Sequence, residues 1–171
     1  MKYLAVLTLA ILGIMMSQSK AQEKPNTEIK SNDKADVNQL LGTYKIIAGE
    51  RNGKKVEADH LKDVTVRIEE KVITTFDTDK KEFYAATYEI DTKQKPWKVL
   101  MTATIVPVEG KGTKVDGKGT TAAGLIEISG ESVKLIYSLP EGKAPTEFKT
   151  GDKQQMFVLI KTEKQQPSAN R

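Results

Sequence analysis

Residues 37–162 alternate side-chain character with a period of two, run after run, and this rhythm limits the fold more than any other feature. Val64, Val66 and Ile68 are separated by Thr65, Arg67 and Glu69. Tyr84, Ala86, Tyr88 and Ile90 alternate with Ala85, Thr87 and Glu89, and Val99, Met101, Ala103 and Ile105 with Leu100, Thr102 and Thr104. Val133, Leu135 and Tyr137 alternate with Lys134, Ile136 and Ser138. Successive side chains on a strand point to opposite faces, so each run places one set on a single side of a pleated sheet. The runs are rich in β-branched and aromatic residues, which suit a half-buried pleated surface.

Turn chemistry divides the runs. Asn52-Gly53 follows a first strand at residues 42–50, residues 77–81 follow a strand at 72–76, and residues 91–96 follow the fourth run. Gly130-Glu131 forms a tight hairpin between strands at 125–129 and 132–139, and Asp152-Lys153 precedes a last strand at 155–161. Eight short strands at this spacing predict a sandwich or barrel. Sequential hairpins favour an up-and-down meander, and closing it removes the exposed sheet edges. The predicted fold is therefore all-β, an eight-stranded antiparallel up-and-down barrel. It carries one short helical turn at residues 57–62 after the first strand, and a second short turn is expected at residues 37–41.

The ends of the chain read differently. Lys2 precedes an almost unbroken apolar run from Tyr3 to Met16, and Ser19 and Ala21 then supply the small-x-small pattern of a cleavable secretory signal. The run is shorter than the roughly 20 apolar residues that span a bilayer. Cleavage is expected after Ala21, leaving a chain that does not span the membrane and is exported to the periplasm or beyond. Residues 22–36 contain one large apolar residue, Ile29, and residues 163–171 contain none. Both segments are expected to be disordered, a leader and a tail, because they cannot bury enough surface to offset ordering entropy.

Composition closes several routes. The chain has no cysteine, which excludes disulfides, thiolate chemistry and a lipid-modified mature N-terminus. The formal charge is +4, and signal removal takes away Lys2 and Lys20 to leave +2. Lysines and acids are interspersed without a basic stripe, so nucleic acid is not an expected partner.

Four motifs invite chemistry. Gly112 to Lys118 matches the first seven positions of G-x-x-x-x-G-K, but Gly119 stands where a magnesium-binding Ser or Thr is needed, and a strand rather than a helix follows. The stretch Pro107 to Thr121 thus reads as a flexible, lysine-studded hairpin loop at a barrel mouth. Asp77, Asp79 and Glu82 are close in sequence, but Lys80 and Lys81 oppose a cation and the glycine of a calcium loop is missing. His60 is the only histidine and has no second ligand for zinc. No serine lies in G-x-S-x-G. No catalytic residue, metal or cofactor is expected. An eight-stranded interior holds either packed side chains or one small ligand. The residues that would line such a cavity are Tyr44, Ile46, Val66, Tyr88, Val99, Met101, Ile126 and Tyr137, while Trp97 is a further aromatic candidate.

Leu40-Leu41-Gly42-Thr43-Tyr44-Lys45, Glu50-Arg51-Asn52-Gly53-Lys54, Gly124 to Ile128, Val133-Lys134-Leu135 and Ala144-Pro145-Thr146-Glu147-Phe148 occur in that order. This series resembles an uncharacterised small-domain family of planctomycete bacteria, whose members read L-x-G-T-W-K…E-R-x-G-K near the start and R-P-T-E-F near the end. Tyr44 replaces the usual Trp, and Ala144 stands where Arg is common. The family is similar to lipocalins, which carry G-x-W on the first strand at the closed end of the barrel. The resemblance implies a calycin-like meander barrel and no established activity. The expected function is an exported, non-enzymatic binding module with a small apolar or amphipathic ligand in the barrel. The alternative is a packed barrel that acts through its outer surface on an envelope or extracellular protein partner.

Overall fold

The computed structural model describes residues 37–109, 111–115 and 119–163. The expected signal peptide, leader and all of the tail beyond Glu163 lie outside the described residues. Ten strands and one helical turn follow in order: β1 (Gly42–Arg51), β2 (Lys54–Lys55), α1 (Ala58–Leu61), β3 (Thr65–Ile68), β4 (Val72–Phe76), β5 (Glu82–Asp91), β6 (Trp97–Val108), β7 (Lys111–Lys114), β8 (Thr121–Ser129), β9 (Ser132–Ser138) and β10 (Gln154–Glu163). Among the described residues, no helix is long and apolar enough to cross a membrane.

Eight of these strands close on themselves. The circuit runs β1–β3–β4–β5–β6–β8–β9–β10 and returns to β1, antiparallel at every step. The all-β meander barrel expected from the alternation is therefore the fold. The two extra strands are short hairpin arms. β2 folds back on the end of β1 through Asn52 and Gly53, which have φ of 52° and 74°. Positive φ at both central residues suits the right-handed twist of the flanking strands, and Asn-Gly adopts it readily.

The second arm corrects an expectation. The stretch from Pro107 reads as an irregular hairpin loop, and the hairpin is present but regular: β6 continues to Val108 and Ile105–Val108 pairs with Lys111–Lys114 of β7. Backbone hydrogen bonds do not depend on apolar side chains, so a glycine- and lysine-rich segment extends the ladder with all four β7 residues exposed. Gly112 is needed there, since a Cβ would stand 2.0 Å from the Glu82 carbonyl oxygen.

The core lies inside the barrel. Leu40, Tyr44, Ile68, Met101, Ile126, Val133 and Leu159 are almost fully buried, with Trp97, Val99 and Leu135 beside them. A bulge between Ile46 and Ala48 inserts one residue into β1 opposite β10. Ile47 is turned outward and 59% exposed, and the in-out phase of β1 is reversed beyond it. A second apolar layer lies on the outside. Leu125 and Ile136 pair across β8 and β9 on the outer face, yet both are buried. The connection between β9 and β10, residues 139–153, brings Pro145 and Phe148 to this face. Pro145 lines one groove with Leu125, and Phe148 has the Lys134 ammonium 6.0 Å from its ring.

Candidate functional site

The eight candidate lining residues share the inner face, but seven of them are packed. Tyr44, Ile46, Val66, Tyr88, Val99, Met101 and Ile126 belong to one buried cluster, and Trp97 is buried with them. Tyr137 lies half-buried at its edge. The Tyr44 hydroxyl donates to Leu40 O at 2.7 Å and the Tyr88 hydroxyl to Glu69 O at 2.7 Å, so these two phenols are satisfied internally. Burial, with Tyr88 nearby, holds the Tyr44 phenol well above its ordinary range. Burial, followed by the Glu70 charge, pushes Tyr88 up to about 12.

The turn that precedes β1 closes one end of the barrel. The turn at residues 37–40 sits over the interior, and Lys161 near the end of β10 fastens it. The Lys161 ammonium donates to Gln39 O at 2.6 Å and Leu41 O at 2.9 Å, and lies 5.4 Å from the centre of the Tyr44 ring. Carbonyl acceptors and an aromatic face both suit a cation. Tyr44 thus takes part in the closed end as well as the core, and Lys161 is a partner that sequence spacing did not reveal.

The opposite end is polar and reached by solvent. Arg51, Gln155 and Tyr137 stand opposite one another across β1, β10 and β9, followed by Gly124 of β8. Residues directly opposed in antiparallel strands share a face, so this rung turns Arg51 and Gln155 toward the same side as Tyr137. The Tyr137 ring lies 6.5 Å from that of Phe157 at an angle of 44°. Tyr84 reaches the same region from β5. Burial and then the neighbouring Tyr84 raise the Tyr137 phenol, while the Arg51 guanidinium works against them. Burial alone raises Tyr84. Neither the Tyr84 nor the Tyr137 hydroxyl bonds to a described residue, unlike those of Tyr44 and Tyr88. Both residues are half-buried, and neither hydroxyl is a fully sealed, unsatisfied atom.

Sequence alternation contains part of this arrangement. Tyr84 stands in the alternating series with Ala86, Tyr88 and Ile90, which places it on the inner face. Arg51 is different. It has the parity of the exposed Lys45 and Ile47, and only the bulge brings it to the inner face.

The β1–β2 turn and the connection between β9 and β10 meet on the outside. Thr150 is buried, its hydroxyl donates to the Glu50 carboxylate, and its backbone N–H reaches the same oxygen at 3.2 Å. The Gly53 N–H donates to the Thr150 hydroxyl at 2.8 Å. Glu50, Gly53 and Thr150 thereby tie the β1–β2 turn to the 139–153 connection. Beneath Ala144 and Pro145 runs an open groove of about 350 Å³, with Glu89, Asp91, Lys98, Leu100 and Leu125 among its lining residues. A second open groove of about 360 Å³ lies between β1 and α1, lined by Ile46, Ile47 and Leu61.

The remaining motifs have structural places. Asp77 Oδ1 accepts from the N–H groups of Asp79 at 2.9 Å and Lys81 at 2.8 Å, so this carboxylate caps its own turn. His60 lies on the exposed side of α1, 3.8 Å from Glu57. Gly112 belongs to β7, whereas Asp116, Gly117 and Lys118 of the phosphate-loop pattern lie outside the described residues. No family model, curated protein or solved structure matches the chain.

Proposed function

We propose that the chain is an exported, non-enzymatic binding module that takes a small apolar or amphipathic ligand at the polar end of its barrel. The observation that carries this reading is the contrast between two pairs of tyrosines. Tyr44 and Tyr88 donate their hydroxyls to backbone carbonyls. Tyr84 and Tyr137 hold theirs above the packed core without a partner among the described residues. A half-buried hydroxyl with no protein acceptor is available to water or to a ligand atom. The packed cluster below leaves the site shallow, with the rings of Phe157, Tyr84 and Tyr137 as its apolar surface. Export follows from the N-terminal signal pattern, and N-terminal sequencing of the mature protein should begin at Gln22. Native mass spectrometry of protein purified from its own host tests the binding reading. A retained small-molecule mass that Tyr84→Phe with Tyr137→Phe removes is the expected result, and a bare monomer that takes up nothing from host extract rejects it.

The outer groove favours a second reading, a protein-interaction domain. Leu100 is 47% exposed on the groove floor, beside Leu125 and Pro145. An apolar side chain flanked by Glu89, Asp91 and Lys98 is the composition of an interface patch with a polar rim. In the same mass spectra, this reading predicts a protein adduct that Leu100→Asp abolishes.

A further inference from the structure

We propose that the ligand of the polar end is a small carboxylate with a short apolar body, its anionic group held by Arg51. The proposal rests on the binding reading above and adds the charge of the ligand to it. The rung geometry is its basis. Arg51 stands opposite Gln155 on one side and opposite Lys54 of β2 on the other. Directly opposed residues share a face, so two cationic side chains are placed together at the rim, and like charges in that relation repel. Neither Arg51 nor Lys54 forms an ion pair with a described residue. The nearest acid in sequence, Glu50, points to the other face and is engaged by Thr150 and its backbone N–H. The rim thus holds two positive charges whose repulsion an anion would relieve.

The donor set fits a carboxylate. A guanidinium presents a planar fork of N–H donors that pairs with both carboxylate oxygens. The phenols of Tyr84 and Tyr137 are protonated at neutral pH, as tyrosines ordinarily are, so each offers an O–H donor. Gln155 adds amide donors on the same rung. The size of the apolar body follows from depth. Tyr137 and Phe157 pack against the filled core, so the interior beneath them has no room for a long chain and the proposed body is about the size of one ring.

The test uses three probes with one body and three head groups: 4-phenylbutyrate, 4-phenylbutanol and 4-phenylbutylamine. Each is titrated into the isotopically labelled mature protein, and amide shifts at Arg51, Tyr137 and Gln155 report occupancy of the site. The expected result is 4-phenylbutyrate binding at least tenfold more tightly than the alcohol, with the amine weakest. Arg51→Gln should remove the carboxylate preference, and Arg51→Lys should restore part of it. The preference should also shrink in high salt, because exposed charges are screened. Equal affinity for the acid and the alcohol overturns the anionic assignment and leaves the binding reading standing. Absence of shifts at those amides with all three probes overturns both. Arg51 is exposed, so unchanged melting temperatures for its variants separate loss of recognition from loss of fold.

Discussion

The tyrosines show how one residue type does two jobs in a single interior. Tyr44 and Tyr88 are buried, and each has its hydroxyl on a backbone carbonyl, so removing the hydroxyl leaves an acceptor exposed to an apolar surrounding. Tyr88→Phe should therefore cost on the order of 1 kcal/mol in chemical denaturation, the usual net worth of such a bond. The acid–base consequence is distinct. Burial raises Tyr88 from 10.0 to about 12 and also raises Tyr44, Tyr84 and Tyr137. A group with a raised folded-state pKa holds its proton in the native state after the unfolded chain has lost it. Its stabilisation is complete below pH 10 and is lost as the pH climbs through the folded value. Stability should be flat to about pH 10 and then fall, by roughly 1.4 kcal/mol per pH unit for each phenol in that window. Denaturation midpoints at successive alkaline pH values measure this, and Tyr88→Phe should make the fall shallower. Absorbance at 295 nm should show these phenols ionising above pH 10. A midpoint at pH 10 for all of them would contradict the burial described. In the aliphatic core, Ile126→Ala should cost about 2–5 kcal/mol, because Ile126 is buried and a cavity would replace it.

At the scale of elements, the barrel strands were legible and their ornaments were not. Alternation fixes which side of a strand a residue occupies, so Val66, Tyr88, Val99, Met101 and Ile126 were assignable to the interior from spacing alone. It does not say whether inward side chains meet or leave a void, and here they meet. A bulge carries no mark in composition, so the phase change after Ile46 hid Arg51 from the reading. The β6–β7 arm was hidden for a different reason: glycine and lysine signal a loop, while strand pairing needs only backbone groups. The tie between Glu50 and Thr150 spans 100 residues of chain, a separation at which local pattern is silent. Its energetics can be tested directly. Thr150→Val keeps the shape but removes the hydroxyl that serves both the Glu50 carboxylate and the Gly53 N–H. Leaving the Gly53 N–H unpaired, and the Glu50 carboxylate with the Thr150 backbone N–H alone, should cost about 1–3 kcal/mol. Thr150→Ser, which retains the hydroxyl, should recover most of it. The Gly53 amide should exchange with solvent faster in the valine variant and at the native rate in the serine variant.

The whole molecule depends on a pairing between its first and last barrel strands. β1 and β10 pair from Thr43–Glu163 to Arg51–Gln155, and Lys161 of β10 also fastens the turn that precedes β1. No other closure is available, because β2 and β7 are arms attached to β1 and β6. Contacts between elements so distant in sequence are entropically costly to form before the rest of the barrel rewards them, which slows folding. Refolding should accordingly take milliseconds to seconds rather than microseconds. The same argument makes the barrel cooperative. Deleting residues 154–171 would leave β1 and β9 with open edges and would uncover the inner faces of Leu135 and Tyr44, since Leu159 and Phe157 leave with the strand. Open, apolar edges recruit other chains. The truncated protein should show no cooperative melting transition and should associate, as judged by calorimetry and size-exclusion chromatography. Truncation after Glu163 instead keeps every β10 pairing and should preserve the native transition. A cooperative, monomeric transition in the shorter form would mean that the remaining strands form a self-sufficient sheet, and closure through β1 and β10 would then not be what holds the fold together.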